Sequence, residues 1–338
     1  MNKRIRRKMG LLSGTAVLLS SATAAVQAEA PQQAAVSMDA TETVQYDERS
    51  NISGEFTFDQ NIVTPADTVF NLFGTAATAL CAKPGFAFQE PDTANYYINV
   101  SGSMKKVSTI SLAQLKESGE ETRILKCSCA MGGAIANTQV VGIPLSKVIE
   151  MADMQEEFNT VTVRSADGYG LPIPLKMALD EDALLVYQIG GKEIPASQGA
   201  PLQLWMPQAT ARYFTRGVAS IELTQEEKVP ELQQPEEQQR VKVNILNEME
   251  DHFQTGDQII FEGYADDFDV AIASLEFSLD GGKTWTVCST EGATSDRWVY
   301  WYFGYTCEAP GTYKMKVRAR NTEGKVSPLE SSVVFTVE

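Results

Sequence analysis

Beyond residue 240, apolar and polar side chains alternate with a period of two. Leu275, Phe277 and Leu279 interleave with Glu276, Ser278 and Asp280. Gly281-Gly282 then supplies a tight turn that tolerates positive φ, and Trp285 and Val287 resume the alternation. Tyr313, Met315, Val317 and Ala319 alternate in the same way with Lys314, Lys316, Arg318 and Arg320. Several short strands at this spacing predict an all-β, immunoglobulin-like sandwich over residues 241–338. Trp298, Tyr300, Trp301, Tyr302 and Phe303 crowd one of these strands, as expected of a sandwich core with an interface face behind it.

Over residues 66–224 the pattern is mixed. Residues 96–100 and 160–163 read as strands, residues 111–117 and 145–154 as short helices, and residues 202–206 as a compact apolar run. Together they predict an α+β layout or a mixed α/β one. Residues 225–240 are rich in Glu and Gln and carry Pro230 and Pro235, the composition of a linker between the two domains. Residues 29–65, rich in Ala, Gln, Thr and acidic side chains with no sustained apolar period, read as a flexible acidic tether.

The first 28 residues have a different character. Lys3, Arg4, Arg6, Arg7 and Lys8 precede an uncharged, mostly apolar stretch from Met9 to Gln27 that closes in Val26-Gln27-Ala28, a small-x-small cleavage pattern. A signal peptide over residues 1–28 follows, with export to the periplasm or the extracellular space and no transmembrane span in the mature chain. Arg6-Arg7 hints at twin-arginine export, and the choice between that route and the general secretory one stays open.

Chain length and composition narrow the function. At 338 residues the chain is long enough for two domains, and 43% hydrophobic with 21% charged residues is an ordinary globular balance. Lys plus Arg is 28 against 44 for Asp plus Glu, a net charge of −16, and loss of the signal peptide removes cations only. Such a surface repels phosphate backbones, so nucleic acid is not an expected partner. His252 is the sole histidine, which makes a Ser-His-Asp triad, a polyhistidine zinc site or a bis-histidine haem hard to build.

There are five cysteines. Cys288 and Cys307 fall on neighbouring predicted strands of an exported domain, and a disulfide between them is expected. Cys81, Cys127 and Cys129 form an odd set. One disulfide among them, Cys81 with either Cys129 or Cys127, leaves one thiol or one metal ligand. Cys127-Ser128-Cys129 lacks the spacing of a zinc site, but a lone thiolate suits a metal whose other ligands come from a cofactor.

The residues around this pair resemble a known family. The run Leu125-Lys-Cys-Ser-Cys-Ala-Met-Gly-Gly-Ala-Ile-Ala-Asn137, followed by Val141-Gly-Ile-Pro-Leu145, is similar to the cysteine loop of the sulfite-oxidase-type molybdenum oxidoreductases. Ser165-Ala-Asp-Gly-Tyr-Gly170, Gly190-Gly-Lys-Glu-Ile-Pro195 and Gly199-Ala-Pro-Leu202 follow in the family's order, and Phe277 to Trp285 resembles its C-terminal dimerisation domain. The resemblance covers roughly residues 93–337. It implies an α+β molybdopterin-binding domain followed by an all-β immunoglobulin-like sandwich.

It further implies a molybdenum-molybdopterin cofactor with Cys127 as metal ligand. Arg216 and Arg212 would clamp the pterin phosphate, Asn137 would support the cysteine loop, and Tyr169 would face the active site as a proton donor. The implied activity is oxygen-atom transfer to or from a small-molecule substrate. Electrons would pass through a separate electron-transfer protein, because no haem or iron–sulfur motif is present. A homodimer through the C-terminal domain is also implied. The chain departs from the family where Gln203 replaces an arginine and where the region of Phe70-Asn71-Leu72-Phe73 lacks histidine. The alternative reading is therefore a cofactor-free secreted binding or accessory module on the same fold.

Overall fold

The computed structural model describes residues 45–71, 89–102, 107–129, 135–154, 157–248 and 252–338. The signal peptide, Cys81 and the glycines of the cysteine loop lie outside these residues. Among the described residues no helix is long and apolar enough to cross a membrane.

The α+β domain is built on two five-stranded sheets. In one, β4 (Glu121–Ser128), β5 (Ile135–Pro144), β8 (Leu184–Ile189) and β10 (Gln203–Trp205) run antiparallel in the order β10-β8-β5-β4, with β9 (Lys192–Glu193) paired to β8. The other has the order β3-β2-β11-β6-β7, formed by β2 (Tyr97–Ser101), β3 (Val107–Ser111), β6 (Thr160–Ser165), β7 (Pro172–Pro174) and β11 (Val218–Thr224). Only the β2–β11 pair in it is parallel. Among the described residues, short helices pack on these sheets, besides a helical segment at residues 66–71. Helix α1 (Leu112–Glu117) starts at a capping box, in which Ser111 and Gln114 satisfy each other's backbone donors. Helices α2 (Leu145–Ala152) and α3 (Leu175–Asp180) each follow a proline, Pro144 and Pro174. Ile98, Val100, Ile143, Val161, Val163 and Leu184 are fully buried between the layers.

The second domain is the sandwich that the alternation predicts. One sheet has the order β1-β17-β14-β12, from β1 (Glu55–Asp59), β12 (Lys242–Ile245), β14 (Gln258–Asp266) and β17 (Val299–Thr306). The other has the order β13-β19-β18-β15-β16. Its strands are β13 (His252–Phe253), β15 (Ile272–Ser278), β16 (Thr286–Ser289), β18 (Gly311–Asn321) and β19 (Ser331–Val337). Phe277 and Phe303, from opposite sheets, stack with ring centroids 4.1 Å apart, and Trp301 meets Phe277 edge-on at 5.3 Å.

Two expectations are corrected. Residues 45–65 are not a tether. Asp47 and Arg49 bridge to Tyr313 and Leu279, and all of β1 pairs with β17, Phe56 opposite Phe303 and Phe58 opposite Trp301. Ile52 is buried, and Phe56 and Phe58 pack on the sandwich core. The sandwich is therefore discontinuous in sequence: the chain leaves it after β1 and returns through residues 225–240. That return segment lies on the α+β domain, where Gln233 N donates to the Tyr213 hydroxyl at 2.6 Å and Asn159 Nδ2 donates to the Glu226 carbonyl at 2.8 Å.

The second correction is the Cys288–Cys307 disulfide, because both residues are thiols. Cys288 lies on β16, one edge of its sheet. Cys307 follows β17 and exchanges backbone hydrogen bonds with Gly256 and Asp257 beside β13, the opposite edge. Burial pushes both thiols up to about 11, which leaves them unreactive at neutral pH.

Because β1 stays paired with β17, proteolysis within residues 225–240 should yield two fragments on a denaturing gel that still co-elute in native gel filtration. Fragments that separate under native conditions would refute the discontinuous sandwich. A second expectation concerns Asp280, fully buried in the turn after β15. Burial opposes its charge, but the Thr284 hydroxyl at 2.6 Å and backbone N–H at 2.9 Å, with Ser278 Oγ at 2.8 Å, outweigh it and hold the carboxyl well below the usual range. A depressed carboxyl stabilises the fold above its unfolded value of about 3.9, and that contribution is lost as pH falls below it. Asp280→Asn should therefore flatten the acid limb of a stability profile measured by denaturant titration between about pH 5 and pH 2.

Candidate functional site

Strand β4 carries the site. Its side chains alternate between two environments, so Cys127 faces the core of the α+β domain and lines a cavity of about 30 Å³, while Lys126 and Ser128 face the sandwich. The cavity wall also includes Arg216, Gln198, Gln203, Trp205 and Phe214. Val69 and Phe70 reach it from a helical segment at residues 66–71.

Local backbone geometry brings the polar members together. Gly199 and Gly217 both have positive φ, +81° and +61°, and Gly217 N donates to the Gly199 carbonyl at 2.9 Å. A Cβ on Gly199 would lie 2.5 Å from Gly217 N, so only glycine permits the two turns to touch. That contact sets Gln198 beside Arg216, whose Nη1 donates to Gln198 Oε1 at 2.9 Å. Gln198 Nε2 donates in turn to the Phe70 carbonyl at 3.1 Å. Gln203 Nε2 donates to the Gln198 carbonyl at 2.7 Å, and Trp205 Nε1 donates to Gln203 Oε1 at 2.9 Å. The result is a buried guanidinium that bonds the amide of Gln198, on the same cavity as a buried sulfur.

Of the residues singled out in the sequence, Cys127 and Arg216 are brought together here. Arg212 is not part of the cavity wall: its guanidinium donates to Gln233 Oε1 and lies 5.7 Å from the Tyr213 ring centroid. Tyr169 is also elsewhere, with its hydroxyl donating to the Arg212 carbonyl at 2.7 Å. Asn137, opposite Lys126 in the β4–β5 register, is fully buried. Its Nδ2 donates to the carbonyls of Gln60 at 2.9 Å and Ile62 at 3.2 Å. Together with the bond from Thr64 N to the Asn137 carbonyl at 2.6 Å, this fastens the crossing that leads from β1 to residues 66–71. The sequence reading missed Gln198 and the contacts behind β4. For Gln198 the available signal was its position just before the Gly199-Ala-Pro-Leu202 turn.

Those contacts behind β4 form a charged seam. Lys126 Nζ bonds Asp266 Oδ1 at 2.7 Å and the Asp267 carbonyl at 2.9 Å, with both side chains of the ion pair almost fully buried. Arg240 pairs with Asp267 at 3.2 Å and with Asp269, and Asn321 Nδ2 donates to Asp267 Oδ2 at 2.8 Å. Lys242 Nζ donates to Ser128 Oγ at 2.8 Å and to the Cys129 carbonyl at 3.0 Å. Burial pushes the Lys242 ammonium down to about 8, against the attraction of Asp266.

Residues 86–231 match the family model of the oxidoreductase molybdopterin binding domain. Among solved structures, sulfane dehydrogenase SoxCD from Paracoccus pantotrophus superposes with a TM-score of 0.59 at 20% identity, over 70% of this chain and 70% of that one, and so shares the fold. The SrpA adhesin R347E mutant from Streptococcus sanguinis matches at 0.24 with 16% identity, over 29% of this chain and 57% of that one. The fibronectin(III)-like modules of CbhA from Clostridium thermocellum match at 0.22 with 13% identity, over 60% and 85%. No curated protein matches the chain.

Replacing Lys126 by Met leaves the Asp266 carboxylate buried without its nearest cation, a change that costs about 3 kcal/mol or more. Lys126→Met should lower the unfolding free energy by that amount in denaturant titration. Lys126→Met with Asp266→Leu should recover most of it, and a double variant as unstable as the single one would contradict the pairing.

Proposed function

The chain carries an oxidoreductase molybdopterin binding domain of the sulfite-oxidase type over residues 86–231, and we propose that it acts as an exported molybdenum-dependent oxidoreductase. It would pass an oxygen atom to or from a small substrate and exchange electrons with a separate redox protein. One observation carries this reading: Cys127 and Arg216 line the same cavity.

The donor set fits the cofactor. A thiolate is a soft ligand suited to a metal already bound by sulfur, and a guanidinium is the preferred partner of a phosphate oxyanion. Cys127 would hold the metal and Arg216 the pterin phosphate, with Gln198 fixing the plane of the guanidinium. When bound, the cofactor supplies two-electron redox chemistry coupled to oxygen-atom transfer. Trp205 and Phe214, both buried and tilted against each other with ring centroids 5.1 Å apart, give the cavity an apolar wall. Tyr169 and Arg212 take no part in this assignment, because neither lines the cavity.

Export is part of the proposal, supported by the basic N-terminus, the apolar stretch from Met9 to Gln27 and the Val26-Gln27-Ala28 pattern. An acidic chain, −16 overall, favours an electron-transfer partner that presents a basic surface.

Protein matured in a molybdenum-replete host should contain about one molybdenum and one pterin per chain by elemental analysis and cofactor extraction. Cys127→Ser should abolish metal retention, since a hydroxyl is a poor ligand for a soft metal. Arg216→Ala should weaken cofactor retention by about 1.5–3 kcal/mol, the value of a hydrogen bond to a charged group. A folded wild-type protein with neither metal nor pterin, from a host competent to insert both, would favour the cofactor-free binding module instead.

A further inference from the structure

We propose that Lys242, a residue of the sandwich, is a positioning residue for Cys127, holding the backbone just beyond the cysteine from the face opposite the cavity. The consequence for metal binding rests on the reading of Cys127 as the ligand; the geometric claim does not.

The β4–β5 ladder ends with Ser128 opposite Ile135. The next carbonyl, that of Cys129, accepts from Lys242 Nζ at 3.0 Å, and the same ammonium donates to Ser128 Oγ at 2.8 Å. On the other side of Cys127, Lys126 is tied to Asp266 and to the Asp267 carbonyl. Residues 126, 128 and 129 are thus all gripped by the second domain. Cys127 is the one position in this run that faces away from it. A cysteine has a single side-chain torsion with three staggered wells, so the backbone that carries it limits its sulfur to a few positions.

Lys242 is built into this place. In the β12–β14 register it stands opposite Asp266, the partner of Lys126, and its Nζ lies 4.2 Å from the centroid of the Phe268 ring. The carboxylate that pairs with Lys126 also attracts the Lys242 ammonium. A desolvated lysine is costly, and its three donors are a good match for a carbonyl, a hydroxyl and an aromatic face. Its removal would take away the contacts to Ser128 and Cys129 and leave the Lys126 contacts to Asp266 and Asp267 in place.

The test uses the full mature chain in two forms. In protein from a host unable to make the pterin cofactor, alkylation by iodoacetamide is followed peptide by peptide. Lys242→Met should raise the Cys127 rate by about tenfold or more, the effect of losing charge-assisted bonds, while buried Cys307 keeps its wild-type protection. Ser128→Ala should give a smaller increase, and in the double variant it should add nothing to Lys242→Met, since both act through one contact. If Lys242→Met does not fold, Ser128→Ala is read by the same measurement. In protein from a competent host, the molybdenum-loaded fraction of Lys242→Met should show a shifted midpoint potential, which a purely structural role would not move. Wild-type alkylation of Cys127 in the variants overturns the proposal, as does an unchanged potential in the loaded fraction. If the wild-type protein holds no molybdenum, the functional reading fails while the alkylation arm still decides the geometry.

Discussion

The buried ion pair between Lys126 and Asp266 ties together the two halves of the molecule on which everything else rests. Its two side chains come from different domains, and its cation is the immediate neighbour of Cys127. Because β4 alternates strictly, a lysine that faces the sandwich forces the next side chain into the α+β core. A slip of one residue would put the thiol in the seam and an ammonium in the cavity. Buried ion pairs rarely raise stability above that of an apolar pair of the same volume. What this one provides is placement, since a charge with a single matching partner tolerates fewer registers than an apolar contact does.

The return of the chain to the sandwich reinforces that placement. Residues before β4 in sequence, β1 and its approach, belong to the sandwich, and so do the residues after 240. The α+β domain is therefore held at both of its ends. Asn137 adds a third restraint by fixing the outgoing crossing at Gln60 and Ile62, and the Trp298 indole donates to the same Ile62 carbonyl at 2.9 Å. The cavity wall draws on residues far apart in sequence, from Val69 through Cys127 and Ile189 to Arg216, and these anchors tie the segments between them to the sandwich.

The two architectures were legible because each has its own period. Strand β18 buries every second residue, as its sequence advertises, whereas β15 buries its polar positions Ser274, Glu276 and Ser278 as well; the cysteine loop carried enough specific residues to mark its family. Strand β1 escaped notice because Glu-Phe-Thr-Phe-Asp is short, has only two apolar side chains, and sits in an acidic stretch; pairing with β17 supplies what the local sequence lacks. The disulfide expectation failed for a different reason. Cysteines close to neighbouring strands in sequence are bridgeable only if those strands are neighbours in space, and strand order within a sheet is not written in periodicity. The seam behind β4 was equally hidden: Lys126, Lys242 and Asp266 look like surface charges until the two domains meet.

The amide network around Arg216 bears on what the cavity is suited to hold. An arginine oriented by a carboxylate is locked in place but also neutralised, and it then has little left for an incoming anion. Gln198 supplies orientation without cancelling charge, because its carbonyl oxygen accepts one N–H and carries no formal charge. Gln203, standing where the family has an arginine, extends the same logic. It spends its amide on the Gln198 carbonyl and on Trp205, and so acts on the anion side of the cavity only through the residue that holds Arg216. A site arranged in this way relies on preorganisation, with the contact between Gln198 and Arg216 made in the fold before any ligand arrives.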